Sequence, residues 1–289
     1  MPSDPSDTNL EKVRTYYDRT VAQEWGRLDR HRTEFAVTMR AVTDALATHL
    51  PAPRPLRVLD AGGGPGRYSL ALAEAGHEVT LLDLSPANVE HAREVSRGRL
   101  AGYHCGSATD LAAFADETFH AVLLLGPLYH LLEETERLRA VSEALRVLVP
   151  GGLLFAAFIN VFAPIRDSAK YSPTEAPLFH PTPDALLAWM ADGRWRAGPA
   201  SPFTDAWFVH PAAVAPFMEK AGEGALETLS LLAAEGVVSF IEEKLNELEG
   251  PVWDYWVEVN YRLAGDPSIL GAAEHLLYVG RRRPSGSGG

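Results

Sequence analysis

The chain has 289 residues, 46% of them apolar, enough to bury a sizeable core as one large domain or as a domain with a lid. Its 38 acidic residues outnumber 26 basic ones, and the formal charge of −12 excludes the broad basic footprint of a phosphate-backbone binder. A single cysteine, Cys105, excludes an intrachain disulfide framework. No apolar run approaches the ~20 residues of a membrane span, and the first twenty residues lack a signal-peptide apolar region. The expectation is a soluble cytoplasmic protein without a nucleic-acid or membrane partner.

In chain order, residues 1–7 and the Gly/Ser tail 284–289 are expected to be disordered. From Phe35, apolar residues at Met39, Val42, Leu46 and Leu50 mark an amphipathic helix that ends at the Pro-rich connector 51–55. Leu56–Asp60 reads as a strand, followed by a Gly-rich turn and a helix from Tyr68 to Ala75 closed by Gly76. Glu78–Asp83 is a second strand, with Ser85 and Pro86 opening the next helix. Leu100–Cys105 and Phe119–Leu125 are strands three and four. A helix with Leu138, Val141, Leu145 and Leu148 then stops at Val149-Pro150-Gly151-Gly152, and Leu153–Ile159 is strand five. Such alternation means a parallel sheet with helices on both faces. Beyond residue 160 the predicted elements are a helix at 182–192, a turn-rich stretch to 205 and a helix at 211–221. A strand at 225–232, helices at 236–248 and 251–264, and a strand within 273–281 complete the chain.

The turn after strand one, Asp60-Ala61-Gly62-Gly63-Gly64-Pro65-Gly66, lets the backbone approach a ligand at the carboxyl edge of the sheet. The dinucleotide fingerprint fails, because Arg67 and Ser69 stand where its third glycine is needed. Asp83 ends strand two, where a carboxylate can accept from ribose hydroxyls. Together these features point to an adenosine-type ligand held without a phosphate grip.

The segments VLDAGGGPG (58–66), VTLLDLSP (79–86), GSATDL (106–111), FHAVLLLGPLYHL (119–131) and EALRVLVPGGLLFAAF (143–158) resemble the class I S-adenosylmethionine (SAM)-dependent methyltransferases. The resemblance covers residues 56–160 well and the rest more loosely. It implies a doubly wound, Rossmann-like α/β fold with a seven-stranded, mostly parallel sheet, the last strand antiparallel. A helical N-terminal arm (1–50), a SAM-binding core (51–160), a cap insertion (161–210) and the end of the core (211–283) with a helical insertion (234–272) follow from it. The implied cofactor set is Tyr17, Asp60, Ala61, Gly62, Gly64, Gly66, Asp83, Leu84, Ser107, Ala108, Leu125 and Gly126. Asp60 and the glycine loop would face the methionine part, Asp83 the ribose and Leu84 the adenine. Ser107 or Asp110 would take the adenine amino group, and Leu125–Gly126 would lie beneath the sulfonium. Tyr17, on the arm Val13–Asp18, is the candidate for the methionine carboxylate, with Arg30, His31 and Arg32 as alternatives.

Methyl transfer from a sulfonium is an in-line displacement that needs alignment and exclusion of water, and a base only where the nucleophile keeps its proton. His130 and Tyr129 in GPLYHL are the catalytic candidates, with His210 a further base and His180 and His275 behind it. Gly126-Pro127-Leu128-Tyr129 lacks the Asn/Asp-Pro-Pro-Tyr/Phe of members that modify adenine or glutamine amides. Both insertions are expected to rise on the cofactor's edge, and their aromatics, including Phe162, Tyr171, Phe179, Trp207, Trp253 and Trp256, to roof an apolar or aromatic small molecule. No H-E-x-x-H, paired C-x-x-C or G-x-S-x-G occurs, so no metal is expected. The predicted activity is O-, N- or C-methylation of a small, natural-product-type molecule, releasing S-adenosylhomocysteine. Attack on another carbon of SAM, or SAM binding without catalysis, are the alternatives.

Overall fold

The computed structural model describes residues 5–50, 55–198, 201 and 203–284. The expected connector 51–54 and the tail from 285 lie outside the described residues. An N-terminal arm, α1 (Pro5–Trp25, kinked at Thr20) and α2 (Arg27–Arg30), leads into α3 (Arg32–His49). The α1 helix thus begins within the stretch expected to be disordered.

The alternating core follows: β1 (Arg57–Ala61), α4 (Arg67–Glu74), β2 (Glu78–Asp83), α5 (Pro86–Ser96), β3 (Gly102–Cys105) and β4 (Phe119–Leu124). It continues with α6 (Pro127–His130), α7 (Glu134–Val147) and β5 (Leu148–Asn160). The strand β5 begins five residues before the predicted Leu153. Pro150 and Gly151, read as a stop, are absorbed at a register shift against β4, with Gly151 at φ 82°.

The second half holds α8 (Ala163–Tyr171), α9 (Ala176–Phe179), α10 (Pro183–Asp192), β6 (Arg194–Trp195), β7 (Ala206–Val209) and α11 (Pro211–Gly222). The last elements are β8 (Leu226–Ala233), α12 (Gly250–Leu263), α13 (Pro267–Leu270) and β9 (His275–Arg282). Where a helix was expected at 236–248 there are only two short 3₁₀ turns, Gly236–Val238 and Glu242–Lys244. Positive φ at Gly236 (62°) and Phe240 (66°) breaks the helical path. A Cβ at Gly236 would lie 2.6 Å from Asn260 Oδ1, which instead accepts from the Val237 amide.

Strands β3-β2-β1-β4-β5 are parallel neighbours. β9 runs antiparallel between β5 and β8. These seven strands form the expected sheet, six in one direction and the last reversed. The added pair β6–β7 was not expected: β6 falls in the stretch read as turns and β7 just after it, extending β5 at Ile159–Asn160 past the end of β4.

The unbroken apolar runs of β1, β4 and β5 are the mark of strands covered on both faces. Alternation then assigns each residue to a side. Leu59, Val122, Leu124 and Leu154 meet α7 and α11, whereas Val58, Leu123, Leu153 and Phe155 meet α3, α4 and α5. Both helical layers leave the carboxyl ends of the strands open, and there the arm crosses. Among the described residues no helix is long and apolar enough to cross a membrane.

Candidate active site

The chain leaves β1 through a loop tied to β2, where the amides of Gly62 and Gly63 both donate to the Leu82 carbonyl, at 2.6 and 3.2 Å. Gly62 has φ 83°, and a Cβ there would lie 2.4 Å from Cγ of Pro127, the first residue of α6. Only glycine allows the two loops to close so tightly. Gly64, at φ 54°, has nothing within 4 Å of a Cβ position and lies on the open floor of a cleft. The cleft encloses about 950 Å³, mouth included.

Two strand-end acids face this space, with Glu24 of the arm a third. Asp60, 1% exposed, accepts from the Ser69 hydroxyl at 2.6 Å through Oδ2, while Oδ1 has no partner among the described residues. Burial pushes its carboxyl up to about 6 against the Ser69 hydrogen bond, and the nearby Asp83 adds to the rise. Asp83 accepts from the Ser85 amide (2.9 Å) and Asn88 Nδ2 (3.2 Å) on Oδ1, and from the Gly64 amide (2.8 Å) on Oδ2. Its carboxyl is raised by burial, with those three hydrogen bonds opposing the rise.

Ten of the twelve residues expected around the cofactor line the cleft: Tyr17, Asp60, Gly62, Gly64, Asp83, Leu84, Ser107, Ala108, Leu125 and Gly126. Ala61 is buried within β1, and Gly66, at φ 95°, caps α4; neither lines the cleft. Of the alternatives for the adenine amino group, Asp110 is exposed and borders a different hollow. Ser107 is in place, its hydroxyl bonded to Thr109 Oγ1 at 2.8 Å.

At the other end of the cleft, Tyr129 donates to the Leu125 carbonyl at 3.3 Å, and burial raises its phenol well above the usual range. His130 is 5% exposed and hydrogen-bonded at both ring nitrogens: Nδ1 to the Asp205 carbonyl (3.2 Å) and Nε2 to the Tyr17 hydroxyl (2.7 Å). Burial brings its pKa down to about 4, so the ring is neutral. His130, a catalytic candidate from the sequence, has its Nε2 lone pair engaged by the arm.

His210 does not join the cleft. It is exposed at the start of α11, where Nδ1 accepts from the Ala212 amide and the ring lies against Phe162. His180 packs on Trp189. His275 pairs with Glu235 at 2.6 Å and lies 3.8 Å from Glu34. Ligand-type atoms of Glu34, Glu235 and His275 fall within 4.8 Å of one another. Each residue is already engaged: Glu34 grips Arg27 with both oxygens, and Glu235 holds His275 and the amides of residues 274 and 275. Burial works against the charged form of His275, but the two glutamates prevail and push it up to about 9. This is an ion-pair network, already satisfied without a cation.

The arm supplies Leu10, Val13, Tyr17, Glu24, Arg27 and Leu28 to the cleft. Arg27 escaped sequence reasoning. Its Nε donates to Glu24 (3.0 Å) and its two Nη atoms to Glu34 (2.6 and 3.0 Å), leaving one donor on each Nη. The Glu24-x-x-Arg27 spacing was the available signal. The alternatives named from sequence turn elsewhere: His31 to Glu242, Arg32 to the carbonyls of Asn246 and Leu248, and Arg30 to the Gln23 carbonyl. Among the described residues, nothing from 160–210 or 234–272 lines this cleft, so the expected aromatic roof is absent from it. Tyr171 and Tyr255 are exposed, Trp207 lies under Arg137, and Trp253 lies under Arg32. Trp207 and Trp253 thus pack on α7 and α3, away from the cleft, and Phe179 lies outside the side chains described.

Residues 59–156 match the profile of the methyltransferase-domain family. The tRNA 5-carboxymethoxyuridine methyltransferase of Escherichia coli is 28% identical over 164 residues, 50% of this chain and 61% of that protein. The chain therefore spans under two thirds of that relative. The malonyl-[acyl-carrier protein] O-methyltransferase of Enterobacter lignolyticus is 31% identical over 221 residues, 76% of this chain and 75% of that one. In fold, the chain is similar to the Burkholderia thailandensis 1,6-didemethyltoxoflavin-N1-methyltransferase, solved with bound 1,6-didemethyltoxoflavin and S-adenosylhomocysteine. The TM-score is 0.56 at 16% identity, over 98% of this chain and 92% of that one. With the glycine loop, the two strand-end acids and the 3-2-1-4-5-9-8 strand order in place, the chain belongs to the class I SAM-dependent methyltransferases.

Proposed function

We propose that the protein transfers a methyl group from SAM to a small molecule. The observation that carries this reading is the unpartnered Oδ1 of buried Asp60, in one cleft with Asp83 and the Gly64 floor. An orphaned buried carboxylate oxygen calls for a donor, and the cofactor's ammonium group fits it. Asp83 keeps lone-pair capacity on Oδ2 for ribose hydroxyls, Leu84 offers an apolar face to adenine, and Arg27 has two donors left for the methionine carboxylate. Bound there, SAM supplies an electrophilic methyl group on a sulfonium.

The chain's own residues orient and enclose. The Gly62–Pro127 contact sets the loop against the α6 start, and α1 covers the cleft through Val13 and Tyr17, excluding water from a displacement that proceeds best without it. A small acceptor is supported by the −12 charge, against a nucleic-acid substrate. The aromatic residues that remain as candidates to face it are Tyr17, Tyr68 and Tyr129.

Calorimetric titration with S-adenosylhomocysteine tests the cofactor assignment. Incubation with SAM and a metabolite pool tests the reaction: release of S-adenosylhomocysteine is expected. Release of methylthioadenosine indicates transfer of another carbon, and binding without turnover indicates a non-catalytic protein.

A further inference from the structure

A file of hydrogen bonds leads out of the cleft from Tyr17 through His130 to Asp205. The Asp205 carbonyl oxygen can only accept, so Nδ1 of His130, 3.2 Å away, carries the ring proton. Nε2 therefore holds the lone pair, and the Tyr17 hydroxyl at 2.7 Å donates to it. A tyrosine that donates its only proton to histidine can only accept from a ligand. Tyr17 is thus unsuited to the acceptor-only methionine carboxylate that the sequence suggested for it, and Arg27 takes that part. The group opposite Tyr17 must bring a proton.

Resting on the methyl-transfer reading, we infer that Tyr17 takes the proton of a hydroxyl acceptor while passing its own to His130 Nε2, so that the substrate is methylated on a hydroxyl oxygen. As the acceptor oxygen bonds to the methyl carbon, the S–CH3 electron pair returns to sulfur. The acceptor's proton moves to Tyr17 Oη, and the tyrosine proton moves to Nε2. The positive charge lost by the sulfonium reappears on the imidazole, so the enclosed site keeps its net charge. That balance lets a buried, ordinarily neutral ring accept a proton. The Asp205 carboxylate, 1% exposed, favours the charged ring. It is held in place by the Ala197 amide at 2.7 Å and by Lys12 at 3.5 Å. The arm thus brings both Tyr17 and Lys12, and the relay exists only when α1 is seated on α6 and on Asp205, just before β7.

The test uses ¹⁵N-histidine-labelled full-length protein, with and without S-adenosylhomocysteine. A protonated Nδ1 and a hydrogen-bonded, unprotonated Nε2 are expected for His130, with Tyr17→Phe moving Nε2 to the position of a free lone pair. An Nε2-protonated ring, or one indifferent to Tyr17→Phe, overturns the relay. Affinity for S-adenosylhomocysteine, read in the same samples, reports separately on the cofactor assignment and should change less than twofold in Tyr17→Phe. A panel of phenols, alcohols and amines is then screened with SAM. A hydroxyl acceptor should lose about 100-fold in kcat with Tyr17→Phe at pH 7, at nearly unchanged KM, the magnitude typical of proton-transfer catalysis. That loss should recover as pH rises through the acceptor's own pKa. Turnover of amines alone, or, with a phenol acceptor, a loss equal on both sides of the phenol's pKa, refutes the inference.

Discussion

The Gly64 amide donates to Oδ2 of Asp83 across 2.8 Å, joining the floor of the cleft to the acid at the end of β2 before any ligand arrives. Asp83 therefore braces the loop in addition to the ribose contact proposed for it. Asp83→Ala removes an acceptor from ribose hydroxyls, and hydrogen bonds to a charged group are worth ~1.5–3 kcal/mol. It also leaves three donors without their acceptor: the amides of Gly64 and Ser85, and Asn88 Nδ2. S-adenosylhomocysteine should bind about 10- to 150-fold more weakly by calorimetry. Wild-type affinity in this variant removes Asp83 from the ribose site.

The glycines of the loop separate by function. At Gly62 an alanine methyl meets the Pro127 ring at 2.4 Å, and the φ of 83° adds strain. Gly62→Ala should destabilise the fold by about 2–3 kcal/mol, seen as a lower Tm without ligand. At Gly64 the methyl meets nothing, and only the left-handed backbone conformation is penalised, by about 1–2 kcal/mol. Gly64→Ala should keep most of its Tm yet bind S-adenosylhomocysteine weakly, because the methyl stands on the cleft floor. Equal Tm losses in the two variants, or full affinity in Gly64→Ala, contradict this division.

This contrast shows what was legible in the sequence. Glycines after a strand and an acid at the next strand's end are local signals, so the loop, Asp60 and Asp83 could be read directly. Most of the failures are tertiary. Gly236 adopts positive φ where Asn260, from α12, meets the chain, and no local periodicity records that. β6 and β7 are two and four residues long, too short for alternation to show. Arg27 belongs to the cleft because Glu34, on the next helix, grips it. His130 lost its free lone pair to a tyrosine 113 positions earlier.

The ion-pair network predicts a pH signature in stability. His275 has its pKa raised to about 9 against an ordinary 6.5, so its charged form is favoured by folding. Its contribution is fully present below pH 6.5 and is lost as pH rises through about 9. Glu274, raised to about 7 chiefly by burial and then by Glu235, acts over an earlier window, from 4.5 to about 7. Glu34, lowered to about 2 because Arg27 and His275 outweigh its burial, loses its contribution only as pH falls from 4.5 through about 2. Urea unfolding between pH 7 and 9 should therefore show stability falling with pH. In His275→Gln that slope should be largely gone, on a protein weaker at pH 7 by about 3–5 kcal/mol from the broken buried pair. An unchanged slope in the variant assigns the alkaline loss to another group.

The last prediction concerns the arm. Deleting residues 1–20 removes Val13, whose buried side chain is worth ~1.5–3 kcal/mol. It also removes a set of polar ties: Asn9 to the His130 carbonyl (2.7 Å), Tyr17 to Nε2, and Asp18 accepting from the Ser85 hydroxyl (2.6 Å). The core of the sheet is kept, since among the described residues before 28 only the partly buried Leu10 packs against the clusters around β1, β4 and β5. The truncated chain should fold with a Tm lowered by several degrees. Its cleft loses an outer wall, the water exclusion that favours displacement, and the hydroxyl that reaches His130. S-adenosylhomocysteine should bind more weakly, and turnover should fall by a larger factor than affinity. If calorimetry and product release both match the full chain, the arm is no part of the site, and the ties to His130 and Ser85 serve only to park it.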